Sequence, residues 1–415
     1  MRHEATDVRM MGARHETIDE PRVLRLIPPR VSGLTSRAPT SWPKVKLGDA
    51  PITIIDGDRG KNYPKQNELF ASGYCLFLSA ENVTRQGFRF DSNKFITIQK
   101  DSVLRNGKLA RFDIILTTRG TLGNVALYGS SVPFENVRIN SGMLILRCDT
   151  QKLLPNFLLY VLRSEDFISQ VNGFKSGVAQ PQLPIKDLKQ IQIPLPPLSV
   201  QRHIADVLSA YDDLIENNRR RIAILEETAR LAYRKWFGGA NTARTATLGE
   251  IAPFVRGKVI TQKSAVLGNV PVVAGGLEPA YFHNVANTGT PVITISGSGA
   301  NAGFARMYFE PIWASDCLWC DKAKAKWFYF AYCFLKDNAD ALRNLQQGAA
   351  QPHVYPKDIN ALDVVLPKSD DLLDKFESAV EPFFNQCGML AKQSAALAAA
   401  RNVLLPRLMK GAVNL

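Results

Sequence analysis

Two glycine-rich turns carry side chains of the types that contact the edges of DNA bases. The turns lie within residues 113–128 (DIILTTRGTLGNVALY) and 291–308 (PVITISGSGANAGFARMY), each between two predicted strands. Arginine pairs with guanine, and asparagine or glutamine with adenine, by two hydrogen bonds in the major groove. Glycine lets the backbone of such a turn approach a partner closely. The candidate base-contacting residues are Arg119 and Asn124 in the first turn and Ser298 and Asn301 in the second.

A second candidate set flanks a segment that the chain contains twice. Residues 176–197 (SGVAQPQLPIKDLKQIQIPLPP) and 347–368 (QGAAQPHVYPKDINALDVVLPK) lie 171 positions apart and are identical at 8 of 22 paired positions. Polar side chains around the shared Gly-x-Ala-Gln-Pro could also read bases, although a solvated turn is the alternative for every residue in both sets. These further candidates are Lys175, Gln180, Gln182, Gln347, Gln351 and His353.

Common catalytic and metal-binding signatures are missing from the sequence. The stretch GDRGKN at 57–62 is shorter than a phosphate-binding P-loop and lacks its hydroxyl ligand. The amino-methyltransferase motif Asn/Asp-Pro-Pro-Tyr/Phe does not occur, and the five histidines are scattered. Asp187 and Lys189 resemble the end of a nuclease motif, but the second copy of the repeat has Asn360 in place of the lysine. We therefore expect a binding protein with no catalytic residues and no metal ligands.

Cysteine usage and hydropathy favour a reduced, cytoplasmic protein. Six cysteines at irregular spacing do not form a disulfide framework. Cys317 and Cys320 make a single CxxC, for which buried strand cysteines are favoured over a zinc or redox site. The sequence has no apolar run of about 18 residues, so we expect no membrane segment.

The charge distribution makes a polyanion a plausible partner. The chain of 415 residues has a net charge of +13. Residues 41–197 contain 20 basic and 13 acidic side chains, whereas residues 241–367 contain 11 and 9. The basic excess therefore lies mainly in the first half, where a solvated basic face is the alternative to a nucleic-acid surface.

Two copies of one α+β unit, each followed by a long helix, account for the repeat. In each copy a strand–turn–strand pattern precedes an aromatic-rich helix and then the repeated segment. The predicted organisation is a disordered N-terminal extension at 1–40, a first domain at 41–197, a first long helix at 198–240, a second domain at 241–367 and a second long helix at 368–415.

Apolar residues at alternating spacings of three and four predict that the two long helices form a coiled coil. Two such seams in one chain most simply bury each other, as an antiparallel pair about 60 Å long with a pseudo-twofold axis. The seam residues are Ile204, Leu208, Tyr211, Ile215, Asn218, Ile222 and Leu225 in the first helix and Phe376, Val380, Phe383, Leu390 and Leu397 in the second.

Two seam features predict local behaviour. A polar residue at a seam position fixes helix alignment at some loss of stability, which is the role predicted for Asn218. The alternative is that the helices splay there and Asn218 meets water. Pro382 should kink or restart the second helix near Glu381, because proline removes a backbone donor.

The block IPLPPLSVQRHIADVLSAYDDLIENNRRRIAILEETARLAYRKWF at 193–237 resembles the central conserved region of the specificity (S) subunits of Type I restriction-modification systems. The stretch SGVAQPQL at 176–183 is similar to the end of a target recognition domain in that family. LLPRLMKG at 404–411 is similar to the close of its second conserved helix. The resemblance covers about residues 41–415, and residues 1–40 match nothing in the family pattern.

The resemblance implies a division of labour among subunits. Each domain would read one half of a bipartite, asymmetric site in double-stranded DNA, and the coiled coil would set the spacer between the halves. Two methyltransferase (M) subunits and two restriction (R) subunits would join the chain. This chain would bind no cofactor, while S-adenosylmethionine, ATP and Mg²⁺ would serve the partners in adenine methylation and cleavage.

Three other functions stay open from sequence. The chain could serve a modification-only methyltransferase, since the difference lies in neighbouring genes. It could be a non-catalytic adaptor that bridges two copies of a partner through its pseudo-twofold. A free-standing nuclease or methyltransferase is the least favoured, because no catalytic signature supports it.

Overall fold

Two mixed α/β domains and two long helices make up the computed structural model, which describes residues 42–174, 181–238, 244–348 and 352–412. The predicted extension at 1–40 lies outside the described residues. No described helix is both long enough and apolar enough to cross a membrane.

The strands of the first domain are short runs of β-branched and other apolar residues, separated by turns rich in glycine, proline and asparagine. The strands are β1 (Lys44–Lys46), β2 (Ile52–Asp56), β3 (Cys75–Leu78), β4 (Val83–Thr84), β5 (Gly87–Phe88), β6 (Phe95–Ile96), β7 (Ile114–Thr117), β8 (Val125–Leu127), β9 (Val137–Ile139), β10 (Met143–Cys148) and β11 (Gln192–Pro194).

The main sheet of the first domain is antiparallel, in the order β2-β10-β7-β8. A smaller sheet, β6-β3-β9, pairs β3 with β9 in parallel, and β1 pairs with β11. Since neighbouring strands of the main sheet run in opposite directions, the ends of β2 and β7 lie beside the starts of β10 and β8. We call this part of the domain its loop end.

The second domain is built from strands of the same kind. They are β12 (Arg244–Thr247), β13 (Val255–Arg256), β14 (Val270–Val273), β15 (Tyr281–His283), β16 (Val292–Ser296), β17 (Ala305–Tyr308), β18 (Trp313–Ala314), β19 (Cys317–Asp321) and β20 (Asp363–Leu366).

The sheets of the second domain repeat the topology of the first. β13-β19-β16-β17 corresponds to β2-β10-β7-β8, and β15-β14-β18 corresponds to β6-β3-β9, including its parallel pair. β12 pairs with β20 as β1 pairs with β11. The predicted strand–turn–strand units are confirmed as β7–β8 and β16–β17. The loop end of the second domain is therefore where the ends of β13 and β16 meet the starts of β19 and β17.

Helices cover one side of each domain and link the two. The predicted aromatic-rich helix is present in each domain, starting at Pro155 in the first and at Phe328 in the second. The helices are α1 (Ile98–Val103), α2 (Pro155–Arg163), α3 (Glu165–Phe174), α4 (Ile185–Leu188), α5 (Leu198–Phe237), α6 (Leu248–Ile251), α7 (Phe328–Asp337), α8 (Ala339–Asn344), α9 (Pro356–Asn360) and α10 (Asp370–Met409).

The two long helices, α5 and α10, are antiparallel. The Asn218 amide Nδ2 donates to Oε1 of Gln393 at 3.1 Å. Cys387 Sγ lies 3.9 Å from the Ile222 carbonyl oxygen. Farther along, the ring centroids of Phe237 and Phe376 are 5.2 Å apart, so rising positions in α5 meet falling positions in α10.

Each end of the helix pair belongs to a different hydrophobic core. Ile204, Leu208 and Leu408 pack in the core of the first domain. Ala229 and Phe376 pack in the core of the second. The central stretch of the pair therefore lies between two separately packed domains. The duplicated sheets are related by an approximate twofold axis that passes through the pair of helices α5 and α10, which we call the rod.

Burial along the seam agrees with the predicted positions, all of which are buried or half-buried. Asn218 is 5% exposed, so the alternative in which it meets water is wrong. Phe383 is only partly buried, and its neighbour Phe384 is buried at 1% exposure instead. Phe384 stacks on Tyr329 of α7, with ring centroids 4.8 Å apart. At this level α10 packs against the second domain as well as against α5, which moves the buried position by one residue.

The remaining predicted seam side chains are buried or half-buried. The two-helix stretch leaves its seam partly open, because no third helix covers it there. Buried seam residues are Ile204, Leu208, Phe376, Val380 and Leu390, and half-buried ones are Tyr211, Ile215, Ile222, Leu225 and Leu397.

The predicted restart of the second helix near Glu381 is wrong. α10 runs without interruption from Asp370 to Met409, with Pro382 and Pro406 inside it. Pro382 has no backbone N–H, yet the surrounding residues keep helical geometry because Val380 and Phe384 on either side are held in the core.

Candidate nucleic-acid interface

The two predicted sets of base-contacting residues meet at the loop end of the first domain. After β7 the chain turns through Arg119, whose backbone forms an isolated β-bridge with Gln182. The Leu183 N–H donates to the Thr118 carbonyl at 3.0 Å and fixes this pairing. Gly120 has a φ of 72° and faces open space. Its left-handed conformation projects the turn outward, which favours glycine at that position.

The loop end of the second domain repeats this arrangement with different side chains. Ser298 forms an isolated β-bridge with His353, as Arg119 does with Gln182. The Gly299 N–H donates to the Pro352 carbonyl at 2.9 Å, and Gly299 has a φ of 77°. Gln347 also bridges to His353. Equivalent backbone positions in the two domains thus carry chemically unequal residues.

Arg119 and Gln182 keep their side chains available. Both are half-buried, and among the described residues neither side chain has a hydrogen-bond or ion-pair partner. An arginine without a carboxylate partner retains all five N–H donors for a ligand. Of the predicted first-domain residues that the structure describes, these are the two whose side chains make no internal hydrogen bond or ion pair with another described residue.

Other predicted residues use their polar groups inside the protein. Asn124 donates from Nδ2 to the Val83 carbonyl at 2.9 Å and so anchors the turn to β4. Ser298 is 9% exposed and donates to the Asp316 carboxylate. Asn301 donates weakly to the Gly275 carbonyl at 3.4 Å. These contacts position the turns, and they leave less capacity for bases than the sequence suggested.

The residues of the second repeated segment differ in exposure. Gln347 is exposed and donates to Oδ2 of Asp358 at 2.9 Å. His353 is half-buried, with its ring parallel to that of Tyr355 at a centroid distance of 6.3 Å. The predicted candidates Lys175, Gln180 and Gln351 lie outside the described residues.

Two arginine–aspartate pairs at the loop ends were not predicted from the sequence. Arg59 Nη2 lies 3.1 Å from Oδ1 of Asp56 at the end of β2. Arg256 Nη2, at the end of β13, lies 2.9 Å from Oδ1 of Asp316, just before β19. Asp56 and Arg59 are three residues apart, and Arg59 lies in the stretch GDRGKN, which the sequence offers only as a P-loop candidate. Arg256 and Asp316 are 60 residues apart, so finding that pair requires the strand order.

The carboxylate of Asp58 lies in the same loop as Arg59. The Gly60 N–H donates to it at 2.7 Å and lowers the pKa of this carboxyl, with a further N–H from Arg105. Burial opposes the shift. Asp58 therefore folds its own loop and stays ionised, which sets the position of Arg59.

Buried polar contacts fix the first domain to the helix pair. Gln201 of α5 is 1% exposed, accepts from the Leu154 N–H at 2.9 Å and donates to the Pro196 carbonyl at 2.8 Å. Asp212 of α5 accepts from the Tyr160 hydroxyl at 2.9 Å, and it pairs with Arg163 and with Arg401 of α10. Burial lowers the pKa of Arg163, an effect that Asp212 counteracts.

A half-buried carboxyl fixes the second domain in a comparable way. Glu377 of α10 accepts from the backbone N–H groups of Phe330 at 2.7 Å and Tyr329 at 3.2 Å, in the first turn of α7. Burial raises the pKa of Glu377 to about 7, and the two backbone bonds oppose that shift. Both domains are thus tied to the rod at helix N-termini.

The described residues contain no group of three or more His, Cys, Asp or Glu side chains placed to hold a metal ion. Cys317 and Cys320 are both buried on β19. They belong to different hydrophobic clusters, on opposite faces of the sheet. They therefore do not form a joint ligand pair.

Comparison with known proteins points to one family. Residues 39–227 match the family model described as the Type I restriction modification DNA specificity domain. Curated proteins similar to this chain are themselves specificity subunits of Type I restriction enzymes. The chain is 24% identical over 344 residues to the Type I restriction enzyme MjaIX specificity subunit of Methanocaldococcus jannaschii, covering 72% of this chain and 77% of that protein.

Other specificity subunits match smaller or more divergent parts. The putative MjaX specificity subunit of the same organism is 29% identical over 199 residues, or 46% of this chain and 44% of that protein. A crystal structure of the S subunit from M. genitalium aligns over 91% of this chain and 97% of that one. Its TM-score is 0.49 at 20% identity.

Proposed function

We propose that this specificity subunit reads a bipartite, asymmetric DNA site, one half with the loop end of each domain. The subunit is a non-catalytic DNA-recognition component of a Type I restriction-modification system. The observation that carries the proposal is the equivalent placement of unequal residues at the two loop ends. Arg119 and Gln182 occupy in the first domain the bridge positions of Ser298 and His353 in the second. Two different half-sites follow from that inequality.

The helix pair would act as the ruler between the half-sites. Leu208 and Ala229 of α5 belong to the cores of different domains and are 21 residues apart. At about 1.5 Å per residue the domains are anchored roughly 30 Å apart along the helix. That distance is close to one turn of B-DNA, about 34–36 Å. A spacer of fixed length is the expected consequence.

Partner subunits would supply the chemistry. The approximate twofold offers two equivalent docking positions, which supports two M subunits, with two R subunits joining them for cleavage. S-adenosylmethionine, ATP and Mg²⁺ would be bound by these partners rather than by this chain. The assembled complex would act on DNA in the cytoplasm, and a modification-only complex would use the same specificity subunit.

Selection from a duplex library tests the proposal. The chain is combined with its cognate M subunit and incubated with randomised double-stranded DNA at two salt concentrations. We expect enrichment of a split motif, and binding that weakens with salt because phosphate contacts release counterions. A complex that forms but enriches no sequence at either salt concentration would favour the adaptor, which needs the twofold but no DNA.

A further inference from the structure

Each loop end presents one arginine–aspartate pair of nearly the same geometry. The Arg59 and Asp56 side chains are 48% and 28% exposed, and those of Arg256 and Asp316 are 44% and 30% exposed. The N–O separations are 3.1 and 2.9 Å. Both pairs are therefore partly open to a ligand and held in a fixed position.

The two pairs come from different positions of the duplicated fold. Asp56 pairs with Leu144 across the main sheet, and Arg256 pairs with Leu318 at the corresponding place in the second domain. The last residue of the strand is therefore the aspartate, Asp56, in β2 and the arginine, Arg256, in β13. Asp316 corresponds to Gly142, because their carbonyls accept from Gly297 and Thr118 in equivalent bonds. The two pairs share the strand-end position but with acid and base exchanged, and their second residues come from different loops, so the sheet itself does not require the pair.

Both partners retain hydrogen-bonding capacity. Asp316 accepts from Arg256 on Oδ1 and from Ser298 on Oδ2, and each carboxylate oxygen can accept a further bond. Arg256 uses Nη2 in the described contacts and keeps N–H donors on its other nitrogens. Arg59 likewise bonds through Nη2, to Asp56 and to the Ser141 carbonyl at 3.3 Å.

The spacing of such a pair matches the major-groove edge of a G·C base pair. Guanine presents acceptors at N7 and O6, and cytosine presents a donor at N4. Guanine O6 and cytosine N4 are hydrogen-bonded to each other, at about 2.9 Å. An arginine that donates to guanine N7 and O6 and an aspartate that accepts from cytosine N4 would therefore lie side by side. The arginine nitrogen and the carboxylate oxygen would be separated by the same distance of about 2.9 Å. On a T·A pair the second arginine N–H would face the thymine methyl group instead of an acceptor.

We propose that each recognition domain reads one G·C base pair through its arginine–aspartate pair, Arg59 with Asp56 in the first domain and Arg256 with Asp316 in the second. The inference rests on the proposed function, since it names the base that each loop end requires. Truncating either arginine removes discrimination at one position of one half-site, by about 5- to 150-fold. The other half-site keeps its full requirement.

The test uses the full chain with its cognate M subunit. The wild-type motif is established first, and binding is then measured by competition among duplexes in which each half-site position is replaced in turn. Arg59→Ala and Arg256→Ala serve as controls for each other. Arg59→Lys and Arg256→Lys keep the positive charge but cannot make the bidentate hydrogen bonds of arginine. Arg244→Ala removes an ion pair of similar exposure, 43% and 40%, at β12 away from the loop end.

The expected result is loss of one G·C requirement per arginine variant, in the half-site of its own domain, with lysine failing to restore it. A uniform fall in affinity at all positions that lysine rescues would mean a phosphate contact, and would overturn the proposal. An effect no larger than that of Arg244→Ala would mean a structural clamp, which also overturns it. If the wild type itself selects no motif, the proposed function fails first.

Discussion

Lengthening the helix pair should lengthen the DNA spacer. One heptad inserted after Arg220 in α5 and one after Leu390 in α10 fall between two observed cross-helix contacts, Asn218 with Gln393 and Ile222 with Cys387. A heptad preserves the alternation of the seam. It adds about 10 Å to the separation of the domains, at about 1.5 Å per residue. That length corresponds to roughly three base pairs, at about 3.4 Å each.

Rotation sets a second expectation for the same variant. Three base pairs turn the second half-site by about 100° around the DNA axis, at about 10–10.5 base pairs per turn. The inserted heptad rotates one domain relative to the other by only about 20° around the helix axis. The lengthened subunit should therefore lose the original spacer, and bind a spacer about three base pairs longer with lower affinity than the wild type has for its own site.

Competition binding on duplexes that hold both half-sites constant measures this effect. Spacers from one base pair shorter to five longer are compared, using the complex with the M subunit. The matched control replaces seven helix residues by the inserted sequence without changing length, and should keep the original spacer. Undiminished binding of the lengthened subunit to the original spacer would refute the ruler.

Three other substitutions test how the domains are held on the rod. Because the pKa of Glu377 is raised, the folded protein binds this proton more tightly than the unfolded chain does, and the free energy of unfolding falls as pH rises from about 4.5 through about 7. Glu377→Gln should remove this pH dependence and be about 1–3 kcal/mol more stable than the wild type at pH 8, as measured by denaturant unfolding across pH. Asp212→Asn should destabilise the protein by roughly 2–4 kcal/mol, because Arg163 is left in a half-buried site without its carboxylate partner. An unchanged unfolding midpoint would contradict that reasoning. Asn218→Leu should stabilise the rod by about 1 kcal/mol, because the exposed Gln393 can hydrogen-bond to water instead, and the variant should bind a wider range of spacer lengths in the binding assay. A range as narrow as that of the wild type would show that Asn218 does not fix the alignment of the helices.

The long helices were the most predictable part of the fold. Their periodic apolar positions extend over about forty residues each. α5 begins at Leu198 as predicted and ends at Phe237, three residues before the predicted limit of 240. The pattern does not predict burial of Phe384 beside the half-buried Phe383, because it assumes that only two helices are in contact. Phe384 is buried where α7 adds a third surface, and that contact depends on tertiary packing.

The candidate site was also predictable only in part, because some of its contacts depend on tertiary packing. Glycine-rich turns and the repeated segment marked Arg119 and Gln182, which the structure brings together. Arg256 and Asp316 carry no local signal, because their loops become neighbours only through the order of strands in the main sheet. Ser298 was marked by its turn, yet its hydroxyl is committed to Asp316, a contact that no spacing in the sequence reveals.

Single-molecule sequencing of DNA from cells that co-express this chain and its cognate M subunit tests whether the chain directs methylation to a bipartite site. We expect modified adenines in a split, asymmetric motif with a fixed gap, and exchange of residues 41–197 for another first domain should change one half alone. A continuous motif would contradict the ruler. No modification with a demonstrably active partner would contradict DNA recognition by this chain.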